Sequence, residues 1–396
     1  MKNVLLITLI LSNMALYGQW TALTSGTTEW LRGVSFVNAD TGVVVGYNGT
    51  ILRTTNGGMT WAAVNSGTNK NLFGVFFVTD EVGYISGANG TVLKTIDAGL
   101  SWTSKSIGGV TLHDVFFLTA DIGYVAGQLG TIYKTSDGGN TWTSLSVPHN
   151  GLVSIYFNDL ETGFIAGLGQ TNAIMKTVDG GLNWSHQHPN TMAEYASVYF
   201  THSDTGFVCS TGVIDGNILK TTDSGATWSI VYTLPSYGLY ALNFPTSDIG
   251  YAAGGFSGFS IMLRTSDAGE TWISQNTNTT EPLFDCYFVN KDIGYAVGRN
   301  GVIIKTLNGA VGIEETKTDI SVNMYPNPTN NYLIIDLNGN ENLEAHYSLT
   351  DLTGQTIYVG KIHNREQIEL NSIQTGIYLL TIRIGEWTTT RRIIKN

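Results

Sequence analysis

Charge is what this chain has least of: Asp, Glu, Lys and Arg make up only 13% of its 396 residues. The basic residues are the scarcer sign, with 12 Lys and Arg against 21 Asp and Glu between Gln19 and Ala310, and the whole chain stands at −11. A phosphate backbone repels such a surface, and no dense Lys/Arg patch overrides the mean, so nucleic acid and anionic membranes are excluded as partners. There are only two cysteines. Cys209 and Cys286 fall in apolar columns of repeats two units apart, and they read as small buried hydrophobes rather than a disulfide. Beyond the N-terminus no apolar run approaches the roughly 20 residues of a transmembrane helix, so no transmembrane segment is expected. Proline is rare at 7, and helix-forming stretches are nearly absent.

Glycine and aromatics are abundant instead, at 47 Gly, 19 Tyr and 15 Phe. The chain opens on Met1-Lys2-Asn3, an apolar run from Val4 to Leu11, and Ala15-Leu16-Tyr17-Gly18. That is the tripartite form of a secretory signal over 1–18, cleaved after Gly18.

The segment TSDGGNTW, Thr135 to Trp142, then recurs at a spacing of about 41 residues, with copies ending at Trp61, Trp102, Trp142, Trp184, Trp228 and Trp272. A seventh copy starts at Thr306-Leu307-Asn308-Gly309 and stops without its tryptophan. The missing residue is Trp20, because WTALTSGT from Trp20 matches WAAVNSGT from Trp61. Within each unit, runs such as Val75-Phe76-Phe77, Gly83-Tyr84-Ile85 and Thr91 to Thr95 alternate at period two between Gly and Asn turns. This pattern specifies strands. The expected fold is all-β: a seven-bladed β-propeller over 19–310, closed by its N-terminal strand so that no sheet edge is left open. A polar linker over 311–319 leads to a small Ig-like β-sandwich over 320–396.

The repeat F-x4-D/E-x-G-Y-x-x-G-x-x-G-T-I-x-K-T-x-D-G-G-x-T-W resembles the photosystem II stability and assembly factor-like propellers of the Asp-box, or BNR-repeat, group. The assembly factors carry an arginine-rich surface patch. This domain has only Arg32, Arg53, Arg264 and Arg299, and Arg53 and Arg264 fill a column otherwise held by Lys. The C-terminal part is similar to the type A sorting domain of the type IX secretion system, through YPNP at Tyr325 to Pro328, LTG at Leu352 to Gly354, GIY at Gly376 to Tyr378 and the basic end at Arg391, Arg392 and Lys395. That resemblance implies a Bacteroidetes-type bacterium, export, and then release or anchoring at the outer-membrane surface. The type IX machinery is the implied partner.

The repeated carboxylates Asp97, Asp137, Asp179, Asp223 and Asp267 suit tight turns, where a short carboxylate accepts backbone N–H groups. A second acidic column, Asp40, Glu81, Asp121, Glu161, Asp204, Asp248 and Asp292, belongs to the turn between the first two strands. Nine acidic residues remain outside the repeat: Glu29, Asp80, Asp114, Asp159, Glu194, Asp215, Glu270, Glu281 and Asp285. Function is sought where the repeat breaks, in the columns just before the first strand of each unit. There Arg32, Phe73, His113, Asp114, Tyr240, Phe284 and Asp285 converge at one mouth of the channel, a ring suited to a glycan or protein ligand. A sialidase needs an arginine cluster, and only Arg32 and Arg299 lie outside repeat columns. The alternative is a glycoside hydrolase acting on extracellular polysaccharide through Asp114 and Asp285, as an inverting pair, or through another pair from the nine. The HQH at His186 to His188 lacks acidic or Cys ligands and reads as an exposed loop. No metal, no cofactor and no catalytic residue is expected, and the chain is expected to be a monomer.

Overall fold

A computed structural model describes residues 20–168, 174–187, 193–211, 215–310, 321–338, 344–351, 354–384 and 387–396. The leader and linker expectations lie outside these residues. The chain divides into two compact units, Met1–Val311 and Gly312–Asn396. Among the described residues no helix is long and apolar enough to cross a membrane.

The described residues of the larger unit form seven four-stranded antiparallel sheets. The first runs Leu31–Phe36, Gly42–Gly46, Ile51–Thr54 and Ala62–Ala63 in chain order. Five more repeat that order. In the last, Leu283–Phe288, Gly294–Gly298 and Ile303–Thr306 are joined by Thr21–Leu23 from the other end of the unit, with Thr21 opposite Lys305 and Leu23 opposite Ile303. Second strands such as Gly42–Gly46, Gly83–Gly87 and Gly123–Gly127 are buried along their whole length. A strand covered on both faces has no reason to alternate, which is why these read as continuous apolar runs.

Aromatic pairs fill the seams between sheets. The Phe that ends each inner strand stacks on the aromatic of the preceding sheet's second strand: Phe36 on Tyr295 at 3.9 Å, Phe117 on Tyr84 at 3.8 Å, Phe157 on Tyr124 at 3.9 Å and Phe288 on Tyr251 at 3.6 Å. Phe77 has no such partner, because the first sheet offers Val43 at that position. The turn tryptophan then meets the same Phe edge-on, as Trp142 meets Phe117 at 6.1 Å and Trp20 meets Phe288 at 5.7 Å. Glycine opposite the Phe makes room for the ring: a Cβ on Gly123 would lie 2.5 Å from Phe117.

The Asp-box turns dock each sheet on its neighbour. The carbonyl of Gly138 accepts both the Lys94 ammonium, at 2.6 Å, and the Tyr84 hydroxyl, at 2.7 Å. Gly57 does the same for Lys305 and Tyr295. Inside the turn, the buried Thr95 hydroxyl donates to Asp97 and accepts the Gly99 N–H at 3.0 Å, while Asp97 accepts from Ser101. Those bonds, the Ser101 hydroxyl foremost, hold the Asp97 carboxyl down at about 2. Thr95→Val keeps the shape and orphans the buried Gly99 N–H, so it is expected to cost about 1–3 kcal/mol. A urea midpoint unchanged at constant slope would refute this.

In the smaller unit, Ser321–Tyr325, Tyr332–Asn338 and Arg365–Glu369 form one sheet, and Thr356–His363, Glu344–Asp351, Gly376–Ile384 and Trp387–Lys395 a second. Leu333, Ile335, Leu349, Ile362, Leu380, Ile382 and Ile393 make their common core. Two residues of the LTG motif, Leu352 and Thr353, lie outside the described residues. Both cysteines are free and buried. His186 lies not in a loop but on the outer strand Ser185–Gln187, paired opposite Met175, because the unit's exposed fourth strand runs through it; His188 is outside the described residues.

Candidate functional site

The seven inner strands line a cavity of about 640 Å³. Each carries a register shift near its start, between Leu31 and Gly33, Leu112 and Asp114, Leu239 and Ala241, Leu283 and Asp285, and at the matching places elsewhere. A bulge inserts one unpaired residue and re-aims its side chain. The inserted residues include Arg32, His113, Tyr240 and Phe284, and each of them borders the cavity. The ring columns therefore lie inside the inner strands rather than just before them, since each strand begins one or two residues earlier and carries the bulge within it.

The next column is structural in its hydrogen bonding. Asp285 accepts Cys286 N–H on Oδ1 at 2.8 Å and, across the seam, Val34 N–H on Oδ2 at 2.9 Å. Asp114 likewise takes Val115 N–H at 2.8 Å and the next sheet's Ile155 N–H at 2.9 Å. Ser154 and Ser197, in the same column, accept Val198 and Leu242 N–H at 3.2 Å. Both carboxylates keep a partial view of the cavity but lie deep among protein atoms. Burial pushes Asp114 up to about 6 and Asp285 to about 7, against the lowering effect of the N–H donors; mutual repulsion adds to the rise in Asp285 and Arg32 opposes it. Of the nine acidic residues outside the repeat, only these two border the cavity. Glu270 pairs with Lys220 at 2.5 Å, and Glu29 and Glu281 accept from Asn48 and Asn300.

The ring is lopsided. Val153 and Ala196 face the cavity on one side. On the other, His113 packs on Phe73 at 5.1 Å, and Tyr240 on Phe284 at 5.8 Å. Arg32 lies between the two phenyl rings, its Cζ 4.4 Å from Phe284 and 6.0 Å from Phe73. Its Nε is buried without a hydrogen-bond partner, and it enters neither ion pair among the described residues. An unmade buried donor of this kind costs about 1–3 kcal/mol. Burial pulls the Arg32 guanidinium below its ordinary value, with Tyr47, Tyr240 and Asp285 opposing. Burial, then Arg32, holds His113 near 4, which leaves the imidazole neutral.

Three residues that the sequence reading left out of the ring complete the arc. Trp30 stacks on Tyr47 at 5.4 Å and packs on Phe284 at 5.6 Å, and Tyr47 reaches Phe73 at 6.2 Å. Arg299 sits over Trp30 at 5.1 Å, its Nε also unpartnered. One signal was available for Trp30: it is the only tryptophan of the larger unit outside the turn column. Among the described residues no three His, Cys, Asp or Glu side chains gather as metal ligands.

Comparison with known proteins gives two family matches. Residues 12–143 match the photosynthesis system II assembly factor YCF48, and residues 323–396 match the secretion system C-terminal sorting domain. No curated protein matches. Among solved structures, YCF48 bound to D1 peptide superposes with a TM-score of 0.60 at 21% identity, over 73% of this chain and 97% of that one. YCF48 from Cyanidioschyzon merolae gives 0.61 at 20%, over 72% and 98%. The extracellular domain of the putative one component system BT4673 from B. thetaiotaomicron gives 0.58 at 11%, over 96% and 59%. The larger unit thus has the propeller fold, and the chain ends in a sorting domain.

Proposed function

Because the chain joins a β-propeller to a secretion sorting domain, we propose that it is a seven-bladed, non-enzymatic binding module, exported by its leader and sorted by the type IX machinery to the outside of the cell. The mouth of its central channel is the binding site, and the ligand is a peptide. The observation that carries this reading is the lopsided arc of Trp30, Tyr47, Phe73, Phe284 and Tyr240 around an unpaired arginine. Such a surface offers flat apolar faces and one cation. A glycan asks instead for several free polar acceptors and donors, and the two carboxylates already hold two N–H groups each. That a propeller of this fold has been solved with a peptide bound supports the same choice.

A glycoside hydrolase gains from the raised pKa of Asp114 and Asp285, which is what a general acid needs near neutral pH. It loses from their use as ties between sheets. Both readings meet in one experiment: a peptide array and a polysaccharide pull-down with the whole protein, with reducing-sugar release assayed in the same wells. Peptides should be retained by the wild type and lost at least tenfold in Trp30→Ala, checked for folding by circular dichroism, with no sugar released. Release abolished by Asp285→Asn would establish the hydrolase instead, and peptide binding indifferent to Trp30→Ala would move the site elsewhere.

A further inference from the structure

Within that arc, and resting on the peptide reading, we infer that Arg32 is the receptor for a carboxylate of the bound peptide. The guanidinium borders the cavity and is deeply buried, yet no described side chain or backbone group accepts from its Nε. Phe284 and Phe73 stabilise its charge through their ring faces and leave its N–H donors unused. A planar fork of donors fits a carboxylate edge to edge. The nearest carboxylates do not serve, since Asp285 and Asp114 are turned to backbone N–H groups of their own and neighbouring strands.

The charge on the ligand is limited to a single negative group. His113 beside Phe73 is neutral, so at the cavity Arg32 stands alone against Asp114 and Asp285. A doubly charged phosphate would meet more repulsion than one guanidinium offsets in a unit that is acidic overall. Arg299, over Trp30, adds a second cation behind the aromatic wall, and its Ser257 contact of 3.4 Å leaves its Nε unpartnered. The carboxylate comes either from a chain end or from an Asp or Glu side chain.

The test uses the whole protein and three small probes, followed by ligand-observed NMR and tryptophan fluorescence. N-acetyl-phenylalanine carries a free α-carboxylate, its primary amide differs only in charge, and N-acetyl-aspartate N-methylamide offers a side-chain carboxylate. A free acid should bind at least tenfold more tightly than the neutral amide. Arg32→Met, which keeps the packing on Phe284, should bring the two within twofold, and Arg32→Lys should restore part of the difference. Preference for the first acid identifies a chain end, and equal preference for the aspartate probe identifies an acidic residue. Acid and amide binding alike in the wild type, a preference that survives Arg32→Met, or no binding by any probe overturns the inference. If array peptides are still bound and still lost in Trp30→Ala, the peptide-binding reading stands without it; if nothing binds, both fall.

Discussion

Trp20→Ala is expected to lower the unfolding free energy by about 3–5 kcal/mol, the range for deleting a large buried aromatic. Trp20 has no exposed surface, meets Phe288 edge-on, and lies beside Tyr251, Leu283 and Ile304. It also anchors a strand of only three residues, Thr21–Leu23, whose pairing covers Ile303–Thr306. Loss of the anchor frees that edge and leaves the outer side of the last sheet unpaired. Trp61→Ala removes the equivalent ring from the first sheet, where Trp61 is only half-buried and the strand is held within its own hairpin. Trp20→Ala should therefore cost more in guanidinium titrations, and hydrogen exchange should rise first at the amides of Ile303–Thr306. Equal losses in the two variants would show that the closing strand is not special.

The second large effect is pH dependence at the seams. Asp285 and Asp114 have folded values raised to about 7 and about 6, so between about pH 4 and 7 the folded state holds protons that the unfolded chain has released. Their contribution to stability therefore falls as pH rises through that window. The cost above it is on the order of 3 kcal/mol for Asp114 and about 4 kcal/mol for Asp285. Two effects run the other way. His113, depressed to about 4, loses stability as pH falls below its unfolded value near 6.5, and the turn carboxylates Asp97 and Asp223, held near 2, lose theirs only below about pH 4. Serine isolates the seam groups, because Ser154 and Ser197 already make the inter-sheet bond from the same column without titrating. Asp285→Ser and Asp114→Ser should match the wild type at pH 4 and exceed it at pH 8. Urea midpoints at the two values decide the matter: a gap that does not widen with pH, or variants weaker at pH 8, would refute it.

What was legible in the sequence was what repeats. The Thr, the Asp or Asn two residues on and the Gly two beyond that form a turn from local bonds alone, as Thr95, Asp97 and Gly99 show, so each full copy announces the same hairpin. The displaced Trp20 announced the pairing of Thr21–Leu23 with Ile303–Thr306. The inner-strand columns stood out because they vary. The employment of Asp114 and Asp285 was hidden, since it depends on a bulge and on N–H groups some 40 or 250 residues away. A clue existed: Ser154 and Ser197 share the column, and a hydroxyl has little use as a general acid. Trp30, Tyr47 and Arg299 were missed because they lie outside the inner strands and join the arc only through packing.

The seams are also unequal. The join between the first and second sheets has Gly33 where four of the other six have Asp or Ser, and Val43 where others offer a ring to stack on. It keeps the Arg53 bond to Ala98 and an aliphatic core of Val43, Val45, Ile51 and Leu72. A closed ring under tension yields at its weakest joint, so stretching the larger unit should part it here, ahead of the pairing of Thr21–Leu23 with Ile303–Thr306. The same joint is the natural place to cut and reseal the chain if new termini were wanted.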